Sequence, residues 1–103
     1  MSPAHYRHIV LFAFHPTASD DELRRLSNDF AQLPSQISDI RAFERGVNIS
    51  TEQLDQGFTH AFLLTFDDSA ACDRYRDHPA HLAFVERLKP VLAKVLVVDY
   101  LAA

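Results

Sequence analysis

The chain has 103 residues, 48% of them apolar and 23% charged, with a formal net charge of −4 and one cysteine. That balance is ordinary for a globular protein and offers no basic surface for general nucleic-acid binding, no internal disulfide and no cysteine-based metal motif. The longest strongly apolar run, Ile9 to Phe14, falls far short of the about 20 residues a membrane helix needs, and the opening residues carry no secretory pattern; a cytoplasmic protein without membrane contact is expected.

From His5 to His15 the chain reads as a strand rich in β-formers, with His8, Val10, Phe12 and Phe14 on one face and Ile9, Leu11, Ala13 and His15 on the other. Ser19 and Glu22 form a capping box, and Asp20 and Asp21 suit the positive end of a helix. Leu23, Leu26, Phe30 and Leu33 then repeat at helical spacing, and Pro34 is expected to end that helix. Ile40 to Ile49 reads as a second strand, placed at a sheet edge by Arg41, Glu44 and Arg45.

Ser50 to Gly57 is a polar loop, followed by a third strand over Phe58 to Phe66, with Phe58, His60, Phe62, Leu64 and Phe66 sharing a face. Asp68 or Ser69 starts a short helix containing Cys72 and Tyr75. His78 precedes Pro79, a sequence that suits the start of a new helix carrying Leu82, Val85, Leu88 and Leu92, with Pro90 ending or kinking it near Lys89. Val95 to Tyr100 is the last strand. The order β-α-β-β-α-β is that of an α+β ferredoxin-like protomer, one domain over residues 1–103 with helices on one face of an antiparallel sheet.

Both faces of the first strand are apolar in the middle. The face turned away from the helices would carry Ile9, Leu11, Ala13, Ala61, Leu63, Leu96 and Val98. A soluble monomer rarely exposes such a patch, so a homodimer formed by sheet-to-sheet packing is expected.

Six histidines are the compositional oddity: His5, His8, His15, His60, His78 and His81. His5 and His15 fall at strand ends. His8 and His60 fall on the inner, helix-facing side with Val10, Phe12 and Phe62, while Tyr75, His78 and His81 approach from the helix junction. Imidazoles and a phenol around an apolar lining describe a small-molecule pocket suited to proton transfer. Each residue also has a structural reading: His78 as a helix cap, Tyr75 as core packing, Cys72 as an inert core thiol. His78-x-x-His81 has a ligand-compatible spacing, but no carboxylate joins it and the proline disturbs its register, so no metal is expected.

The strand HIVLFAF, the segment FERGVNIS, the strand GFTHAFLLTF, the block YRDHPAHLAFVERLKPVL and the ending VLVVDY resemble the stress-responsive dimeric α/β-barrel (Dabb) family from His8 to Tyr100. The resemblance implies a ferredoxin-like protomer whose sheet packs on a second sheet in a dimeric α/β barrel. A plant member of that family closes a linear polyketide by intramolecular aldol condensation without a cofactor. By that resemblance His81 is the catalytic base, Tyr75 supports it, and His8, His60 and His78 bind substrate; Val10, Phe12 and Phe62 on the inner strand faces, with Val95 and Val97 of the last strand, are expected to complete the lining. Two functions follow: a cofactor-independent cyclase or lyase acting on a carbonyl compound, or a non-catalytic stress-response protein that binds a small apolar ligand or acts through its stable oligomer.

Overall fold

The computed structural model describes residues 5–102, so both ends of the expected domain lie outside the described residues. The elements are β1 (Tyr6–Phe14), α1 (Asp20–Gln36), β2 (Ala42–Val47), β3 (His60–Phe66), α2 (Ser69–Asp77), α3 (Pro79–Leu88) and β4 (Leu92–Leu101). The four strands form one sheet in the order β2-β3-β1-β4, every pairing antiparallel. This is the ferredoxin-like α+β arrangement, with the second crossover split into two helices at His78.

Helix α1 starts as its capping box dictates: Ser19 Oγ accepts from the Glu22 amide at 3.1 Å, and Glu22 accepts from the Ser19 amide at 3.0 Å. Its end differs from expectation, because Pro34 lies inside the helix, which runs on to Gln36. The proline sits in the last turn, where only the bond to the Phe30 carbonyl is lost, and buried Ile37 continues the ladder by donating to the Leu33 carbonyl at 2.8 Å. Packing of Phe30, Leu33 and Ile37, each 1% exposed, outweighs the missing bond.

Phe30 is the centre of the core. Its ring lies 4.6 Å from Phe62, 4.8 Å from Phe84 and 5.3 Å from Phe43, centroid to centroid. In α3 the buried residues are Phe84 and Leu88, while Leu82, expected inside, is 52% exposed. Leu92 belongs to β4, since the helix ends before Pro90. Two strands are shorter than their sequence patterns: β2 stops at Val47, and Phe58 and Thr59 precede β3.

β2 is an edge strand, as its charges imply. Arg41 beside it pairs with Asp67 at 2.9 Å, and Arg45 on it bonds Ser27 and Asn28 of α1 at 3.0 Å each. β4 is the other edge. The face away from the helices carries Ile9, Leu11, Leu63, Leu96 and Val98, the first three part-exposed and Leu96 and Val98 nearly half exposed, with the loop before β3 reaching over the Leu11 and Leu96 end. Ala13, expected in that patch, is buried; it stands opposite Lys94, whose ammonium reaches the Gln56 carbonyl and the Phe58 ring of the loop before β3. Among the described residues no helix is long and apolar enough to cross a membrane.

Candidate functional site

The pairing of β1 with β4 sets His8 opposite Asp99, Val10 opposite Val97 and Phe12 opposite Val95. All six side chains fall on the helix-facing side by the two-residue period of a strand. Over them, α2 contributes Tyr75 and Arg76, and α3 contributes His81, Phe84, Val85 and Leu88, enclosing a cavity of about 360 Å³. The space lies within the range of small-molecule sites, mostly apolar with a few polar groups. Its polar groups gather around His8, Asp99, Tyr75, Arg76 and His81.

His81 is held by its own helix junction. Its Nδ1–H donates to the Arg76 carbonyl at 2.9 Å, since a carbonyl can only accept. The neutral ring therefore keeps its lone pair on Nε2. Burial pushes its pKa below the usual 6.5, against the opposing pull of that carbonyl, so the ring is neutral at physiological pH. Tyr75 lies against it, ring centroids 4.4 Å apart and tilted by 44°. The contact is ring on ring, with no direct hydrogen bond between the two. Tyr75 is 1% exposed, and desolvation raises its phenol well above 10, so it stays protonated.

His8 is positioned across the sheet. Its Nδ1 donates to Asp99 Oδ1 at 2.6 Å, and Asp99 Oδ2 accepts from the Tyr6 hydroxyl at 2.7 Å. That bond to the carboxylate, with partial desolvation, pushes the Tyr6 phenol up to about 12. Cys72 of α2 approaches the same nitrogen, Sγ to Nδ1 3.9 Å, and burial pushes its thiol up to about 11.

Seven of the expected site residues meet at this cavity: His8, Val10, Phe12, Tyr75, His81, Val95 and Val97. Three do not, which corrects the expected convergence of four histidines. His60 shares the inner face, but it pairs with Phe12 and lies against Phe14, beside a separate cleft under the loop that precedes β3. His78 is turned back on its helix, its Nδ1 accepting from the Ala80 amide at 3.0 Å. Phe62 is core, packed with Phe30 and Phe12. The two histidines of His78-x-x-His81 are thus bonded to different backbone groups and do not act as a ligand pair.

Asp99 is the residue that sequence reasoning missed. The signal was present: extending the inward alternation of Val95 and Val97 by two positions lands on it. Of the α3 residues at the cavity, Val85 and Leu88 lie on the helix face read from the sequence, while Phe84 was hidden by a phase read through Leu82.

The family model for the stress responsive A/B barrel domain matches residues 6–102. A stress-response A/B barrel domain-containing protein of Arabidopsis thaliana, HS1, is 37% identical over 94 residues, covering 91% of this chain and 86% of its own. Olivetolic acid cyclase of Cannabis sativa is 21% identical, over 91% of this chain and 93% of its own. Among solved structures, a hydroxynitrile lyase from Passiflora edulis superposes with a TM-score of 0.91 at 24% identity, covering 99% and 96% of the two chains. A protein from Bacteroides fragilis described as dimeric with a ferredoxin-like fold gives 0.77 at 29% identity, covering 94% and 95%.

Proposed function

The chain belongs to the stress responsive A/B barrel domain family, and on that premise we propose that its cavity binds a small carbonyl compound on which His81 acts as a general base. The observation that carries this reading is the state of His81: neutral, oriented by the Arg76 carbonyl, and with Nε2 left to accept a proton. Nε2 takes the proton alpha to the carbonyl. The Tyr75 hydroxyl, kept protonated by burial, donates to the oxygen on which charge develops. His8, fixed by Asp99, binds a second polar group, and the apolar walls hold the remainder. The chemistry is that of a cofactor-independent cyclase or lyase, the class of the plant cyclase to which the chain is similar.

A second reading is favoured by the missing hydrogen bond between Tyr75 and His81 and by the mainly apolar lining: a ligand-binding protein without turnover. The two separate in one experiment. β-Polyketone thioesters and small oxo-acids are offered to the native chain and to His81→Ala. Turnover lost in the variant is the expected result; saturable binding without turnover in both leaves the binding reading, and equal turnover removes His81 from the mechanism.

We propose further that two protomers pair through their open sheet faces. Leu96 and Val98 on that face are nearly half exposed, an apolar patch that a monomer rarely shows. Structural neighbours described as dimeric support the same assembly.

A further inference from the structure

We infer that His8, Cys72 and Asp99 form a three-ligand site for a zinc-like divalent cation at the polar end of the cavity. Their donor atoms, from β1, α2 and β4, all lie within 4.8 Å of one another. The Nδ1 to Sγ separation is 3.9 Å and the Nδ1 to Oδ1 separation 2.6 Å. Bonds of about 2.0–2.3 Å in tetrahedral geometry put neighbouring donors about 3.2–3.7 Å apart. Sulfur and nitrogen are therefore within a few tenths of an ångström of their places. The Nδ1 to Oδ1 separation must lengthen by at least about 0.6 Å to reach that spacing, the metal replacing the proton of the present hydrogen bond and Oδ1 turning aside about the Tyr6-bonded Oδ2; the Asp99 side chain is 31% exposed on an edge strand.

The donor set selects the ion. One thiolate, one imidazole and one carboxylate suit zinc or its neighbours, while magnesium and calcium call for more oxygens than this site holds. The outer shell is in place as well: Tyr6 donates to Asp99 Oδ2 at 2.7 Å, which leaves Oδ1 for the metal and fixes its direction. Because His8 and Asp99 also line the cavity, the fourth position opens onto it, as in sites where a zinc ion meets a water or a ligand atom.

The obvious competitor, a cysteine nucleophile with a His–Asp relay, fails on geometry. A relay uses the two ring nitrogens for its two partners, whereas Cys72 and Asp99 address the same one. Metal binding moves the ring proton of His8 from Nδ1 to Nε2 and releases the thiol proton of Cys72 to solvent.

The test uses the full chain, stripped with a chelator and titrated with cobalt(II) as a spectroscopic probe, with no substrate present. One equivalent per protomer and a thiolate-to-cobalt charge-transfer band, displaced by zinc, are expected. The band disappears in Cys72→Ser, and Tyr6→Phe keeps it with affinity lowered about 10- to 100-fold, as loss of an outer-shell partner does. No band at saturating cobalt, or a band that survives Cys72→Ser, overturns the site. If Cys72→Ser does not fold, Asp99→Asn decides: zinc affinity must fall at least about tenfold, and unchanged affinity overturns the proposal. His81→Ala is expected to bind cobalt as the native chain does, so this outcome is independent of the acid-base reading.

Discussion

His8 and Asp99 stand directly opposite each other on β1 and β4, with Nδ1 and Oδ1 2.6 Å apart. The pair ties the central strand to an edge strand at the polar end of the cavity. Replacing Asp99 by Ala leaves a nearly buried imidazole N–H without its partner, which costs about 1–3 kcal/mol in a urea titration. Asp99→Asn, which keeps an acceptor oxygen, is expected to cost less.

His81 and His60 are both desolvated, and both titrate below the usual 6.5. On unfolding, each ring becomes the easier one to protonate. Their contribution to stability is therefore complete above about pH 6.5 and is lost as pH falls through the lower, folded values. Stability measured from pH 7 to pH 5 should decline, and proton NMR should give both imidazoles midpoints under 6.5. Nitrogen NMR of His81 should show the proton on Nδ1; a proton on Nε2 would refute its assignment as base.

Phe30→Ala removes the ring around which Phe43, Phe62 and Phe84 pack, and is expected to destabilise the chain by about 3–5 kcal/mol. Phe30 also forms part of the cavity wall, so ligand affinity should change with it.

Pro34→Ala restores an amide that can donate to the Phe30 carbonyl in the last turn of α1. Set against the unfolded-state entropy that proline removes, a net gain of about 1–2 kcal/mol is expected. A loss of stability would mean that the ring itself packs better than a methyl.

Leu96→Lys, on the open face of β4, should leave the fold intact and bring the mass in light scattering down to that of one protomer. A native chain already monomeric at micromolar concentration would end the pairing proposal.

Strand alternation made one wall of the cavity legible from residues alone. His8, Val10, Phe12, Val95 and Val97 follow from it, and carried two residues further it reaches Asp99. What alternation cannot give is position along a strand. His60 has the right face but pairs with Phe12, four residues from His8 and so about 13 Å away along β1. His78 was displaced by local chemistry, because an imidazole at an N-cap finds a backbone amide before it finds a ligand. Pro34 misled for the opposite reason: buried neighbours on both sides hold the helix past a residue that ends most helices.

The strand that closes the cavity is also the last one in the sheet, with a neighbour only at β1. Detaching it would uncover Val10 and Phe12 while leaving the contacts of Phe30 with Phe62 and Phe84 in place. If β4 opens by itself, breaking its nine pairings with β1 and the bonds of Asp99 to His8 and Tyr6, a small molecule enters without global unfolding. In native-state hydrogen exchange the amides that β4 and β1 trade should exchange at rates insensitive to low denaturant, while those of β3 facing β2 and β1 near Phe62 wait for the whole chain to open.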